Sequence, residues 1–240
     1  MPSGELFSVP LHAVCVDGAP LIVRNAVFYA PSASVLRYCV RRRPRRGAAT
    51  RGAAVFGDPW WDLEHAAEEA EKVAQILGLA GPVLGLDVTR ERWFEAMSTK
   101  DILHFAGHAE FKSTDPLASC LYLAGDETVT ARELFALPFS PIRLVTLSGC
   151  ETGLSFIHPG DEPLGLTRAL LYAGASSLVL TLWRVDDASS TALLTAFYRR
   201  WLHDGETKVD ALRLAQCDVL ASGVTNPYYW APLVLIGDWY

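Results

Sequence analysis

The stretch Leu144-Val-Thr-Leu-Ser-Gly-Cys150-Glu-Thr-Gly153 decides the fold that we expect for this chain. Its first half is apolar, favours strands and carries no charge, which is typical of a buried parallel strand. The pattern stops at Ser148-Gly149-Cys150, where glycine and small polar side chains permit a tight turn. Cys150 is therefore predicted at the carboxyl end of a central strand. In open α/β sheets that edge is where ligands bind.

A second apolar stretch, Asp101-Ile-Leu-His-Phe-Ala-Gly-His108, ends in the same way. If the two predicted strands are neighbours, His108 and Cys150 meet at one edge of the sheet. A thiol beside an imidazole is the minimum equipment of a cysteine nucleophile, because the imidazole can take the proton of the thiol. His104 lies inside the strand, and we interpret it as a core histidine whose ring nitrogens are hydrogen-bonded.

The bulk properties exclude several classes of protein. Half of the 240 residues are hydrophobic, which supports a large core, and the net charge of −6 argues against a nucleic-acid partner. No apolar run reaches the roughly 18 residues of a membrane span, and we expect no membrane partner. The cysteines are odd in number and without a CxxC pair, so neither disulfides nor a zinc site is indicated. A reducing, cytoplasmic setting follows. We interpret four of them as small core residues: Cys15, Cys39, Cys120 and Cys217.

Strand patterns alternate with helix patterns along the chain, which predicts a mostly parallel sheet covered by helices on both faces. We expect one domain over residues 1–240. Residues 1–52 form an N-terminal hairpin region with a solvated basic loop at Arg41-Arg-Arg-Pro-Arg-Arg46, and residues 53–240 form the core. Residues 21–29 and 228–237 are interpreted as apolar, strand-like segments. The helix near residues 63–77 is expected to expose its carboxylates, which are Glu64, Glu68, Glu69 and Glu71.

Five motifs in this order resemble the CHAT domain, a caspase-like peptidase family often found beside tetratricopeptide repeats in bacteria. They are His-Phe-Ala-Gly-His108, Leu-Ser-Gly-Cys150-Glu-Thr-Gly, Gly165-Leu-Thr-Arg-Ala-Leu-Leu-Tyr-Ala-Gly174, Leu182-Trp-Arg-Val-Asp-Asp187 and Tyr229-Trp-Ala-Pro-Leu-Val-Leu-Ile-Gly237. The resemblance covers nearly the whole chain. It implies a caspase-like α/β/α sandwich with a central, mostly parallel β-sheet, and a catalytic dyad of His108 and Cys150.

The resemblance also implies a protein substrate and a regulatory sensor or repeat-domain partner, either separate or fused upstream. The chain is similar to the protease domain of separase as well. It departs from these relatives at two positions. Related peptidases usually have glycine after the catalytic histidine, where this chain has Ala109, and CHAT domains often carry proline where this chain has Arg184.

The residues themselves suggest how peptide hydrolysis would proceed. Cys150, as a thiolate, would attack the scissile carbonyl, and His108 would protonate the leaving amine and then activate water. The developing oxyanion needs hydrogen-bond donors. Candidate donors are backbone groups at the ends of the two strands, at Gly107, Ala109, Gly149 and Cys150.

Substrate recognition is assigned to five candidates with open alternatives. Glu151 either orients His108, selects substrate or is a plain surface residue, and Trp183 either packs in the core or walls a cleft. Asp186 and Asp187 either cap the following helix or line a pocket for a basic side chain. Arg184 would instead favour an acidic side chain of the substrate.

Three function classes remain in competition. The first is a cysteine endopeptidase that cleaves a specific protein. The second is a catalytically weak or inactive caspase-like module for interaction or scaffolding, which Ala109 motivates. The third is a nucleotide-using α/β enzyme, but GxxxxGK[ST] and GxGxxG are both missing. The motif around Cys150 does not fit the GxSxG serine elbow either. No cofactor and no metal are expected.

Overall fold

The computed structural model describes residues 9–43, 50–63, 65–112, 114–138, 140–148, 165–183 and 187–240, without the side chains of residues 187 and 188. Its strands are β1 (Cys15–Val16), β2 (Ala19–Pro20), β3 (Ala53–Gly57), β4 (Val83–Leu84), β5 (Ile102–Ala106), β6 (Ala109–Glu110), β7 (Cys120–Tyr122), β8 (Thr128–Thr130), β9 (Leu144–Ser148), β10 (Ser177–Thr181) and β11 (Leu233–Gly237). Its α-helices are α1 (Leu21–Arg24), α2 (Ala33–Arg41), α3 (Ala66–Ile76), α4 (Arg90–Thr99), α5 (Ala131–Ala136), α6 (Leu166–Ala173), α7 (Asp187–Leu202), α8 (Lys208–Ala221) and α9 (Pro227–Trp230).

The main sheet runs through the middle of the described fold in the order β11-β10-β9-β5-β3-β4. Every pairing in it is parallel except that of β10 with the edge strand β11. All residues of β5, β9, β10 and β11 are buried. Helices therefore cover both faces, as near-continuous apolar strands require. The predicted mostly parallel sheet is confirmed.

Two apolar clusters lie on the two faces of this sheet. One contains side chains of α3, α7 and α8, including Val73, Phe197 and Leu212. The other contains side chains of α2, α4, α5 and α6, and also of the small antiparallel sheet β6-β7-β8. Three layers result, which is the predicted α/β/α sandwich.

Helix starts follow the capping residues that the sequence offers. The Ser32 hydroxyl accepts a hydrogen bond from the Val35 N–H at 3.1 Å, and Thr89 caps α4 in the same way. Thr130 and Glu133 form a reciprocal capping box at α5. These local contacts explain why α2, α4 and α5 begin where they do.

Several local predictions are wrong. The apolar segment 21–29 begins with the helix α1 instead of a strand. The strand expected over residues 228–237 is present as β11, but it begins only at Leu233, after the helix α9. Cys15 is exposed rather than a core residue, because β1 belongs to an isolated hairpin. Arg43 of the basic loop is not simply solvated, since its guanidinium pairs with the buried Asp238; residues 44–46 lie outside the described part.

The carboxylate of Glu69 is the largest departure. The helical pattern predicts a solvated face, yet Glu69 is only 3% exposed and faces the sheet. No described helix is both long enough and apolar enough to span a membrane.

Gly174 ends α6 at a point where a side chain has no room. Its φ is +131°, and a Cβ there would collide with the backbone carbonyl of Ser140. The Gly174 carbonyl also accepts a hydrogen bond from the Ile142 N–H, two residues before β9. The approach of α6 to the chain that enters β9 thus depends on glycine.

Replacing Gly174→Ala should therefore lower the free energy of unfolding by about 3 kcal/mol, because backbone strain and overpacking add. Gly78→Ala is the matched control: its φ is also positive, but nothing lies within 4 Å of the added Cβ. That control should lose only about 1 kcal/mol. Urea denaturation of both variants measures the difference, and equal losses would contradict the close approach at Gly174.

Candidate active site

The pairing of β5 with β9 determines what lies at the carboxyl edge of the sheet. Ala106 pairs with Ser148 at the ends of the two strands, and the Gly107 N–H donates to the Ser148 carbonyl at 3.0 Å. His108 follows two residues after Ala106. Cys150 follows two residues after Ser148 and lies outside the described residues. The register therefore ends β5 and β9 at the same edge of the sheet, and it supports the expectation that the next residues of both segments lie close together.

The loop after β3 forms a second side of this edge. Asp58 is 4% exposed, and its N–H donates to the Ala106 carbonyl at 2.8 Å. Its carboxylate accepts from the N–H groups of Asp62 and Leu63 at 3.0 and 3.3 Å. Asp58 and Trp61 both have positive φ, +42° and +58°. Non-glycine residues rarely adopt this conformation, and such strain clusters at functional sites.

This loop places Asp62 against His108. The Nε2 atom of His108 lies 3.0 Å from both carboxylate oxygens of Asp62. Because an ionised carboxylate can only accept, the hydrogen of the neutral imidazole lies on Nε2. Nδ1 is then left with its lone pair and can accept a proton from another group. Both side chains are partly solvated, with 26% of His108 and 50% of Asp62 exposed.

Trp60 supplies an aromatic wall beside the imidazole. Its Nε1–H donates to the Leu123 carbonyl at 2.8 Å, which fixes the indole. The ring centroid lies 5.0 Å from that of His108 and 5.2 Å from that of Tyr122. Even so, 41% of Trp60 remains exposed. An immobilised, solvent-facing indole is a ready contact for a ligand side chain.

The other ring that Trp60 contacts, Tyr122, is bound to a carboxylate. The Tyr122 hydroxyl donates to the carboxylate of Glu110, which also pairs with Lys112. The hydrogen bond from Tyr122 holds the pKa of Glu110 below its usual value, and the same bond raises the pKa of Tyr122. Tyr122 thus remains a neutral hydrogen-bond donor. Glu110 remains an ionised carboxylate whose charge is partly offset by Lys112.

Backbone hydrogen bonds distinguish two of the candidate oxyanion donors, the N–H groups of Gly107 and Ala109. The Gly107 N–H is used by Ser148, as described above. The Tyr122 N–H donates to the His108 carbonyl, and Ala109 pairs with Leu121. Because hydrogen-bonded and non-hydrogen-bonded pairs alternate in antiparallel strands, the Ala109 N–H points away from β7. Of these two groups, only the Ala109 N–H keeps its place as a candidate donor.

Three of the described cysteines, Cys39, Cys120 and Cys217, are poor nucleophiles. Burial, with the nearby charge of Asp238, raises the pKa of Cys39 to about 11. Burial also raises the pKa of Cys120 and of Cys217. A protonated thiol is a weak nucleophile, so these three are structural residues.

Among the other predicted site residues, Trp183 is described in full and Asp187 only by its backbone. Trp183 is partly buried, packs against two apolar clusters, and donates from Nε1 to the Tyr228 carbonyl at 3.1 Å. Asp187 is the first residue of α7, and its side chain is not described. Outside the described residues lie Gly149, Cys150, Glu151, Arg184 and Asp186.

Sequence reasoning missed Trp60 and Asp62. A signal was present in the loop that follows β3, which reads Gly57-Asp58-Pro59-Trp60-Trp61-Asp62. Because β3 is the parallel neighbour of β5, this loop begins at the same sheet edge as His108. The polar and aromatic content of this short loop is what distinguishes it.

The family model for the CHAT domain matches residues 1–238. This chain is a CHAT domain protein. Tetratricopeptide repeat protein 28 of Homo sapiens and of Mus musculus are each 26% identical to it over 98% of the chain. The CHAT chain spans only 12% of the length of either relative.

Solved structures show the same architecture as this CHAT domain. The separase–securin complex of Saccharomyces cerevisiae matches 96% of the chain and 14% of the solved chain, with a TM-score of 0.70 and 16% identity. The Arg-specific cysteine proteinase gingipain R matches 79% of the chain and 46% of its own, with a TM-score of 0.57 and 12% identity. At these identities the likeness concerns the fold, which is the predicted caspase-like α/β/α sandwich.

The β5–β9 register predicts that positions 108 and 150 lie within disulfide reach. Neighbouring strands are about 4.8 Å apart, and bridged Cα atoms are about 4.4–6.8 Å apart. In a Cys15→Ser background, the His108→Cys variant should form a disulfide between position 108 and Cys150 under mild oxidation. Glu206→Cys, on the exposed loop between α7 and α8, should not. Non-reducing peptide mapping identifies the link. A folded His108→Cys protein that never forms it would contradict this placement.

Proposed function

We propose that this CHAT domain is a cysteine endopeptidase that cleaves a specific protein substrate. Cys150 is the nucleophile in this proposal and His108 its proton acceptor. The observation that carries it is that β5 and β9 end opposite each other. Their last residues, Ala106 and Ser148, are paired, and the Gly107 N–H donates to the Ser148 carbonyl. Family membership adds support, because the match to the CHAT domain covers residues 1–238 and so includes both proposed catalytic residues.

In the first half of the reaction, His108 Nδ1 takes the proton of the Cys150 thiol as the sulfur attacks the scissile carbonyl carbon. The carbonyl electron pair moves onto oxygen and then returns, so the C–N bond breaks. The leaving amine receives the proton from His108. A thioester between Cys150 and the substrate carbonyl remains.

Water completes the cycle. His108 takes a proton from the attacking water, and the C–S bond breaks when the second tetrahedral intermediate collapses. The thiolate recovers the proton and the carboxylic acid leaves. No cofactor or metal takes part in these steps.

Asp62 orients His108 in this mechanism. Its carboxylate receives the Nε2 hydrogen, so Nδ1 is held as the acceptor, and it stabilises the imidazolium that forms. The Ala109 N–H is our candidate oxyanion donor on the His108 side, with backbone groups at Gly149 and Cys150 on the other. Ala109 stands where related peptidases usually have glycine.

Recognition of the substrate is proposed for residues around this edge. Trp60 offers a fixed aromatic wall beside His108. Glu151, Trp183, Arg184, Asp186 and Asp187 remain candidates for selecting the residue at the cleaved bond. Arg184 would favour an acidic side chain, and either aspartate a basic one.

We also propose that a repeat or sensor domain controls the site. Support comes from the two curated relatives, which are named for tetratricopeptide repeats and are far longer than this chain. Such a domain acts either in the same polypeptide or as a separate partner. The four described cysteines are free thiols, which favours a reducing compartment such as the cytoplasm.

A second candidate is an interaction module with weak or no catalysis. Ala109 favours it, because a side chain beside the oxyanion donor restricts the backbone there. The two candidates differ in the reactivity of Cys150. A catalytic thiol alkylates at neutral pH well above the rate of a free cysteine, whereas an unused thiol does not.

Cys150→Ala and His108→Ala should each abolish cleavage while the fold persists. The test incubates the protein with proteins encoded alongside it and identifies new N-termini by mass spectrometry. Cys217→Ser is the matched control, because this partly buried thiol has a raised pKa and should leave cleavage unchanged. Cleavage by Cys150→Ala at the parent rate would refute the peptidase assignment.

Asp62→Ala should lower kcat by about tenfold to hundredfold with little change in KM, because it affects the general base rather than substrate binding. Asp204→Ala removes the same type of side chain at an exposed position beyond the end of α7 and should leave both constants unchanged. Steady-state kinetics on a cleaved peptide measures them. An unchanged kcat in the Asp62 variant would show that the carboxylate contact plays no part.

A further inference from the structure

A buried carboxylate lies beneath the candidate active site, between the sheet and the helices α3 and α7. Glu69 projects from α3, is 3% exposed, and contacts both central strands. Its Oε1 lies 3.1 Å from Nε2 of His104 on β5, and its Oε2 accepts the Ser148 hydroxyl of β9 at 3.1 Å. One side chain therefore bridges the two strands that lead to His108 and Cys150.

The neighbouring hydrogen bonds are compatible with a single direction of donation, toward Glu69. Tyr198 on α7 lies with its hydroxyl 3.4 Å from Nδ1 of His104 and 2.7 Å from the Thr146 hydroxyl. If Thr146 donates to Tyr198 and Tyr198 donates to Nδ1, then His104 donates from Nε2 to Glu69. In this arrangement, each hydrogen bond of the series is donated in the direction of the Glu69 carboxylate.

A second branch reaches the end of β9. The Ser190 hydroxyl of α7 lies 3.3 Å from the Ser148 hydroxyl, which donates onward to Glu69. Burial, together with the nearby Glu69 carboxylate, raises the pKa of Tyr198, so this phenol stays a donor. Glu69 is the acceptor that satisfies both branches at once.

Such an arrangement is costly, because burying a carboxylate and its polar partners gains less than apolar packing of the same volume. Its position gives a reason for it. Ser148 is the last residue of β9, and its carbonyl receives the Gly107 N–H, one residue before His108. A group that fixes the Ser148 side chain also fixes the backbone from which the chain continues to Cys150.

We propose that Glu69 is a positioning residue for the dyad. It acts through Ser148 and His104 by holding the ends of β9 and β5 level, and it touches no substrate. This inference rests on the proposed function, since its effect is measured at Cys150 and His108. A loss of alignment of about 1 Å at such a site lowers the rate by about a hundredfold.

Ser148→Ala and Glu69→Gln test the role. The first removes one donor to Glu69 without adding volume. The second replaces an acceptor-only group with an amide, which can accept from only one of its two partners. Both should reduce kcat and the alkylation rate of Cys150 by about tenfold or more, with KM nearly unchanged.

Thr146→Val is the matched control. Thr146 is fully buried on the same strand and the same face as Ser148, and its hydroxyl bonds to Tyr198 but not to Glu69. Without it, the Tyr198 hydroxyl can still donate to Nδ1 of His104, so both contacts of Glu69 are kept. The loss of stability should match that of Ser148→Ala, whereas kcat and alkylation should stay within about twofold of the parent. Peptide mass spectrometry follows alkylation at Cys150 alone, and thermal unfolding compares stability.

Hydrogen exchange at the Gly107 amide gives a readout that needs no chemistry at Cys150. Ser148→Ala should speed its exchange, and Thr146→Val should not. If the parent Cys150 alkylates no faster than Cys15, the proposed function fails. If the parent is fast and Ser148→Ala and Glu69→Gln are equally fast, the peptidase assignment stands and the positioning role of Glu69 is refuted.

Discussion

The parallel pairing of β5 with β9 is the constraint on which the rest of this structure depends. Both strands are buried on both faces, so their register is held by apolar side chains above and below the sheet. Since Ala106 lies opposite Ser148, the chain leaves both strands at one edge. A shift of one residue in this register would turn His104 and Ser148 away from Glu69 and separate the two proposed catalytic positions.

Two carboxylates contact the groups at this edge, and they differ in their exposure to solvent. Asp62 is half exposed, comes from a strained loop, and contacts the imidazole of His108 directly. Glu69 is buried, comes from α3, and contacts the strand ends from inside the core. The exposed carboxylate can respond to the charge of the imidazole, whereas the buried one maintains a fixed arrangement. In the proposed mechanism the first acts on proton transfer and the second on geometry.

Much of the fold was predictable because its signals are local. Buried strands appear as short apolar runs, and Ser32, Thr89 and Thr130 cap the helices that follow them. The partners of the histidines were not predictable. Asp62 is 46 residues from His108, and Glu69 is 35 residues from His104 and 79 from Ser148. The helical pattern around Glu69 even indicated the wrong face, because a single carboxylate on the sheet side hardly alters the apolar periodicity.

The sequence by itself determined the class of fold, the family and the two candidate catalytic positions, because these follow from local strand patterns and short motifs. Only the tertiary structure decided which carboxylate meets which histidine, and which backbone N–H groups are already used. It also decided that Trp60 faces solvent while its indole is fixed. These features depend on the crossover connections that bring distant strands side by side, and no local pattern encodes the resulting contacts.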